Sequence, residues 1–312
     1  MYFKNINKED FDRINELLAK TQYNGCEYSK LYLMAWDYYD FNSFEIAYEN
    51  DIIFMRFVPN PEYIKGPEKL KHIYIPPLTT LDKIKDAILM VEQQTKDDNE
   101  LMLIDGLSQE QVECVDKSKF EVIKSDDYKE YLYDPNDLIN FSGKKYHSKR
   151  NHIADFDKKY SYVFRQYNKE LDYKNLILLI KNWEDGKEDY SLEDKSAEEK
   201  AIDISLELLE SESNIFAYVL YVEDKLIGFS LIEKTASNIV IEHIEKADIN
   251  YDGAYPKLLN LVAKEAFYGC RYVNRQEDMG DEGLRKSKLS YKPVAFCEKY
   301  FIKNFKENIF QE

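Results

Sequence analysis

The sequence predicts a mixed α/β protein of the α+β class, built as two tandem domains with the same element order. Three observations predict this. Apolar residues alternate between helical and strand spacing along the whole chain. Two hairpin signals, Glu49-Asn50-Asp51 and Glu223-Asp224-Lys225, each precede a strand–helix–strand string. Acidic charge is concentrated before residue 140, where 28 Asp and Glu face 16 Lys and Arg, against 31 and 27 in the rest. The 312 residues suit two domains of about 150 better than one, and we place them at 1–140 and 141–312.

In the first half Asp10–Lys20 reads as a helix with Phe11, Ile14, Leu17 and Leu18 on one stripe, and Tyr28–Tyr38 as a second helix. Strands Phe44–Tyr48 and Ile52–Val58 flank the first hairpin signal. A short strand at His72–Ile75 follows, then a helix over Leu81–Gln94, stepping through Leu81, Ile84, Ile88 and Val91. Strand Leu101–Asp105, helix Gln109–Lys117 and strands at Phe120–Ile123 and Tyr128–Tyr133 close this half.

The second half opens with a helix over Lys144–Tyr160 and a strand at Tyr162–Gln166. Helices at Tyr173–Glu184 and Ala197–Leu209 precede strands Ile215–Val222 and Leu226–Ile232, which flank the second hairpin signal. Strand Ile239–Ile244, helix Pro256–Phe267, strand Arg271–Asn274, helix Asp281–Ser290 and a strand at Val294–Tyr300 complete it. Asp281 after Gly280 suits an N-cap. A hairpin feeding a strand, a crossover helix and a parallel neighbour resembles the core of the GNAT acyltransferase architecture. Other α+β folds share such strings, so periodicity by itself does not identify it.

Composition narrows the classes. Apolar residues make up 44%, enough for a sizeable core, and 26 Tyr with 17 Phe argue against wholesale disorder. No apolar run approaches the roughly 20 residues of a membrane span, and the N-terminus lacks the apolar core of a signal peptide. Cys26, Cys114, Cys270 and Cys297 are scattered, with no zinc or redox spacing. A reduced, cytoplasmic location is the expectation. Oligomeric state is not legible.

The net charge is −16, yet Lys144-Lys145-Tyr146-His147-Ser148-Lys149-Arg150-Asn151-His152 is densely basic. Such a run is either a solvated helix face or a grip on a polyanion. On a helical wheel Lys149 and Arg150 fall on or beside the stripe of Tyr146, Ile153, Phe156 and Tyr160. Lys288 likewise interrupts the stripe of Leu284 and Tyr291. An inward cation must find a partner or line a polar cleft. Asn274-Arg275-Gln276-Glu277-Asp278-Met279-Gly280 joins a strand to a helix, where open α/β sheets place ligands. Glu277, Asp278 and Asp281 lack histidine and a fixed ligand spacing, so no metal is assigned.

Tyr131-Leu132-Tyr133-Asp134-Pro135 and the basic run from Gly143 to His152 resemble a bacterial family, as does the string from Asn274 to Pro293. Tyr251-Asp252-Gly253-Ala254-Tyr255 fits its intervening loop. That family is grouped with the C-terminal catalytic domain of phosphatidylglycerol lysyltransferase. The resemblance covers most of the chain, the first 120 residues only by element order. It implies two tandem GNAT-like domains. It also implies kinship with enzymes that take an aminoacyl group from aminoacyl-tRNA, the Fem-type peptidyltransferases included.

Transfer of an activated acyl group needs a grip on the donor, help in deprotonating the acceptor, and stabilisation of an oxyanion. Glu242 is the expected base and Tyr291 the expected acid, each also readable as a structural residue. His243 is expected on the opposite face of the strand from Glu242. The candidate binding residues are His147, Lys149, Arg150, Asn151, Tyr255, Asn274, Gln276, Glu277, Asp278, Arg285 and Lys288. The loop from Asp248 to Pro256 stands where CoA-dependent enzymes carry a glycine-rich phosphate cradle. It has one glycine, and Asp248 and Asp252 would repel phosphate. Aminoacyl-tRNA is therefore the favoured donor over acetyl-CoA. The expected partners are tRNA and a small-molecule, peptide or lipid-headgroup acceptor. A non-catalytic ligand-binding module and an interaction scaffold remain alternatives. The second half is the favoured site.

Overall fold

A computed structural model of the chain describes residues 1–35, 44–59, 69–185 and 192–304. It divides into two compact units. Unit 1 comprises Met1–Glu130, Glu277–Gly280 and the terminal strand from Cys297; unit 2 comprises Tyr131–Gln276 and Asp281–Phe296. Each is a mixed sheet flanked by helices.

Unit 1 contains β1 (Lys4–Asn5), α1 (Asp10–Thr21), α2 (Lys30–Ala35), β2 (Glu45–Glu49), β3 (Ile52–Phe57), β4 (Ile73–Tyr74), α3 (Leu81–Asp97), β5 (Leu103–Leu107) and α4 (Gln109–Glu113). Next comes β6 (Glu121–Tyr133), whose last three residues belong to unit 2. The sheet order is β1, β2, β3, β4, β5, and β4 and β5 run parallel. Phe11, Ile14, Leu17 and Leu18 of α1 are all buried, as their helical spacing requires. Ile84, Ala87, Ile88 and Val91 of α3 pack with Ile104 and Leu107 of β5. Ser108 caps α4 reciprocally with Gln111, which satisfies two orphan backbone donors.

Unit 2 follows with α5 (Pro135–Asn140), a 3-10 turn at Lys144–Tyr146, α6 (His147–Lys159), β7 (Tyr162–Gln166), α7 (Lys169–Asp185), α8 (Leu192–Ser211) and β8 (Ile215–Val222). Then come β9 (Lys225–Lys234), β10 (Ile239–Ala247), α9 (Ala254–Ala266), β11 (Tyr272–Asn274), α10 (Glu282–Ser290) and β12 (Ala295–Lys303), whose strand pairs with β5 of unit 1 lie at Tyr300–Lys303. The sheet order is β11, β10, β9, β8, β7, with the tail of β6 on β11. Here β10 and β11 are the parallel pair. Its core joins Leu258, Leu259, Val262 and Ala263 of α9 to Val240, Leu220 and Ile227 of the strands.

Several expectations change. The chain is not cut once near 140. The units interleave, because the last strand completes the sheet of unit 1. The two strands expected at 120–123 and 128–133 are one continuous β6. The polar run Lys124–Asp127 hid it, since much of that strand is exposed and needs no apolar alternation. Helix α5 was not expected, although Asp134 caps it by accepting from Asn136 N at 2.8 Å, with Pro135 behind. The two-residue β1 was too short to signal. The end of the helix expected over Tyr28–Tyr38, from Trp36, lies outside the described residues.

Candidate active site in the second unit

The site begins where a strand runs out. Backbone pairing between β10 and β11 covers only Ile239–Ile241 against Tyr272–Asn274. Strand β10 continues to Ala247, held by β9 alone. The edge of β10 from Glu242 onward is left without a strand beside it. Arg275, the first residue beyond β11, fills that gap with its side chain. Its Nε donates to Glu242 Oε2 at 2.5 Å and its Nη2 to Glu245.

Glu242 and Glu245 are three residues apart, so simple alternation puts them on opposite faces. The register of β10 on β9 slips between Glu242 and Ile244, a bulge with His243 as the extra residue. One inserted residue brings both carboxylates to the same guanidinium. The same bulge removes the alternation that placed His243 opposite Glu242: the His243 ring is buried, 3.4 Å from Gln276 Nε2 and 3.5 Å from Glu233. Glu242 Oε1 also accepts from Ser230 at 3.4 Å. Glu245 Oε1 is buried with no hydrogen-bond partner among the described residues. Burial pushes the Glu245 carboxyl above the usual carboxylate range, against the pull of Arg275.

The end of α10 forms one wall. Its last carbonyls have no partner within the helix. Tyr133 donates its hydroxyl to Lys288 O at 2.8 Å, and Tyr146 donates to Tyr291 O at 2.9 Å. Lys288 turns inward, and its ammonium donates to Arg275 O at 2.6 Å. Tyr291 is thereby fixed with its ring under two cations. The Lys149 ammonium lies 3.5 Å from the ring centroid and the Arg275 guanidinium carbon 4.9 Å. Lys149 comes from α6 and is half-buried. Among the described residues it has no carboxylate within ion-pair distance. Burial first, then the charge of Arg275, push its ammonium down to about 8.

The remaining expected residues divide clearly. Tyr255 accepts from Trp183 Nε1 at 2.9 Å, and Lys246 lies 3.2 Å from the Trp183 ring centroid. Asn274 is buried and accepts from Gln276 N at 2.8 Å, shaping the turn in which Gln276 has φ 55°. Arg150, expected beside Lys149, instead points away: it is exposed, donating to Phe141 O at 2.5 Å and Gly143 O at 2.7 Å. Arg150 and the stripe of Ile153 and Phe156 share the one helix α6, and from its place beside that stripe the long Arg150 side chain reaches back to the carbonyls that precede the helix. His147 and Asn151 are exposed and touch each other at 3.3 Å. Arg285 is only half-buried on the outer part of α10. Glu277 and Asp278 belong to unit 1.

In the loop before α9 three backbone N–H groups are engaged locally. Asn250 N donates to Asp248 Oδ1 at 2.9 Å, Tyr251 N to Asp248 O, and Ala254 N to Tyr251 O. Asp248 is paired with Lys225 and Asp252 with Lys159, each at 2.7 Å. Helix α9 starts at Ala254, two residues before Pro256, capped by Gly253 at φ 84°. A Cβ there would stand 2.5 Å from His152 O, so α6 and α9 meet too closely for any other residue.

Two other features are set apart from this site. A groove on unit 2 is lined by Asn175, Leu178, Asn182, Lys225 and Asp248, and shares none of the site's residues. In unit 1 the Cys26 thiol and the carboxylates of Glu27 and Glu130 converge within 4.8 Å. The Lys299 ammonium already occupies that place, paired with Glu27 and, at 2.6 Å, with Glu130.

Sequence reasoning missed Arg275, Glu245, Trp183 and Lys246. Arg275 stood inside the polar string but gave no period. Glu245 becomes a neighbour of Glu242 only through the bulge.

The chain is built as two GNAT-like units in tandem, with a polar notch where one parallel strand outruns its neighbour. The chain belongs to the family described as phosphatidylglycerol lysyltransferase, C-terminal, whose model matches residues 64–303. An uncharacterized protein of Mycoplasmoides gallisepticum, MYCGA3080, is 29% identical over 303 residues, spanning 94% of this chain and 95% of that protein. A solved conserved protein of unknown function from Bacteroides thetaiotaomicron is 26% identical with a TM-score of 0.82, covering 97% of this chain and 99% of that one. The L-PGS of Bacillus licheniformis shares the fold at 15% identity and a TM-score of 0.63, over 97% and 93% of the two chains. Among the described residues no helix is long and apolar enough to cross a membrane.

Proposed function

We propose that the chain is an aminoacyltransferase that moves an aminoacyl group from aminoacyl-tRNA to the hydroxyl or amine of an acceptor, in the notch of unit 2. The observation that carries this is the pairing of an ammonium without a carboxylate, Lys149, with a buried Arg275–Glu242–Glu245 cluster at the open edge of β10. The family named for a lysyltransferase makes aminoacyl transfer the chemistry to test first. The loop before α9 supports a donor other than a CoA thioester, because three of its N–H groups are engaged within the loop and it carries the carboxylates of Asp248 and Asp252. Arg275, fixed by two carboxylates and by Lys288 at its carbonyl, lies with Lys149 over the Tyr291 ring, where its rigid N–H donors could serve a developing oxyanion.

The test is transfer of label from a tRNA pool charged with radioactive amino acids. Phosphatidylglycerol vesicles and an amine-bearing peptide serve as separate acceptors. The reading expects label on one of them. A second reading is favoured by one observation: Arg275 already engages both site carboxylates, as suits a ligand-binding module without turnover. Thermal stabilisation by charged tRNA without transfer would support that reading instead.

A further inference from the structure

We infer that Lys149, rather than Glu242, is the base that takes the proton from the acceptor. This inference rests on the transfer reading above and deepens it. Three geometric observations carry it. Glu242 is buried, with one oxygen on Arg275 at 2.5 Å and the other facing Ser230 at 3.4 Å, so no lone pair of it faces a substrate freely. Tyr291 is 3% exposed and presents its ring, not its hydroxyl, to Lys149. Lys149 is the half-buried amine of the notch that meets no carboxylate among the described residues.

Every charged group around Lys149 bears on its proton. From the segment after β11, Arg275 repels the ammonium. From beyond α10, Lys292 does the same. From β10, Glu245 favours the ammonium, but burial keeps a proton on that carboxyl to higher pH than usual, which weakens the attraction. The Tyr291 ring favours the cation, by roughly 0.5–2 kcal/mol, while it and its neighbours withhold water from it. Desolvation is the largest influence, and the amine loses its proton at about 8. A solvated lysine would be almost wholly protonated there and useless as a base.

The step balances simply. The acceptor X–H attacks the ester carbonyl carbon as its proton passes to the neutral Nζ of Lys149. The C–X bond forms and the carbonyl oxygen becomes an oxyanion near Arg275. The bond from that carbon to the terminal ribose oxygen then breaks. The Lys149 ammonium returns the proton to the departing oxygen, leaving the amine neutral again. No oxidant, reductant or further reactant is involved.

Two measurements test this on the full chain. The first labels the wild-type protein with an amine-reactive reagent across a pH series, and reads each lysine by mass spectrometry. Lys149 is expected to reach half-reaction near pH 8, below exposed lysines such as Lys286. A midpoint with the exposed lysines would overturn the inference whatever the enzyme does. The second compares Lys149→Met and Lys149→Arg in the charged-tRNA transfer assay. Both should lower kcat by about 100-fold or more, the range of general-base removal, with KM for charged tRNA within about threefold. Arginine keeps a cation but cannot act as a base. Near-normal kcat in Lys149→Arg would therefore make Lys149 a phosphate grip and refute the base. Wild-type protein that labels near pH 8 but transfers nothing would overturn the transfer reading itself, and the labelling would still have measured the amine.

Discussion

The Lys149 ammonium lies 3.5 Å from the centroid of the Tyr291 ring, and Tyr291 is held in place from behind by the hydroxyl of Tyr146 on its own carbonyl. A face-on cation at this range draws on the ring's quadrupole, not on its phenol. Burial pushes the phenol far above its ordinary range, so it carries its proton at every working pH. The ring is therefore the functional part of the residue.

Tyr291→Phe keeps the ring and removes the hydroxyl. Transfer by this variant should stay within about threefold of wild type, whereas Tyr291→Leu should fall by tenfold or more. A loss of about 100-fold in Tyr291→Phe would restore the phenol to the reaction as its acid.

The stability of the protein should carry the mark of Lys149. Its folded pKa, about 8, lies below its unfolded value near 10.5. Between these the unfolded chain binds more protons, so stability rises with pH through that window. Urea midpoints measured at pH 8 and pH 10 should show this rise in wild type and a smaller one in Lys149→Met. An identical pH dependence in both would mean that Lys149 is solvated in solution.

Arg275→Met leaves Glu242 and Glu245 buried against each other without their cation. Breaking a buried pair from one side costs about 3–5 kcal/mol. The triple variant that also carries Glu242→Gln and Glu245→Gln should recover most of the loss. Chemical denaturation of the three proteins checks this. A single Arg275→Met variant as stable as wild type would show that the cluster is hydrated.

Gly253 and Gly143 both have positive φ, at 84° and 83°. Only Gly253 faces an obstacle, His152 O at 2.5 Å from an added Cβ; Gly143 faces open space. Gly143→Ala should cost about 1 kcal/mol for backbone alone. Gly253→Ala should cost about 1–3 kcal/mol more, since α6 must move off α9. Equal costs would mean that α6 yields without penalty, and Lys149 with it.

Much of this fold was legible. The stripes of α1 and α3 and the strands Tyr162–Gln166 and Ile215–Val222 follow directly from apolar spacing. The helical wheels led to Lys149 and Lys288, and the wheel of α10 and the polar string after β11 to Tyr291 and Gln276; all four lie around one notch. What was not legible depends on contacts with no period. The bulge at His243 that lets Glu242 and Glu245 share Arg275 is a register slip between two strands. Arg150 lies beside the apolar stripe of α6, and its long side chain reaches the carbonyls of Phe141 and Gly143, a contact that helical phase does not record. The interleaving of the two units arises from a strand pairing across about 195 residues of sequence, which local patterning does not record.

The most direct test of the account is the rate of label transfer from a charged tRNA pool by wild-type protein and by Lys149→Met, with both shown folded by thermal denaturation. The account predicts transfer to a hydroxyl or amine acceptor by wild type and a fall of about 100-fold in kcat in the variant. Transfer at equal rates by both proteins, or stabilisation by acetyl-CoA with acyl transfer from it, would contradict it.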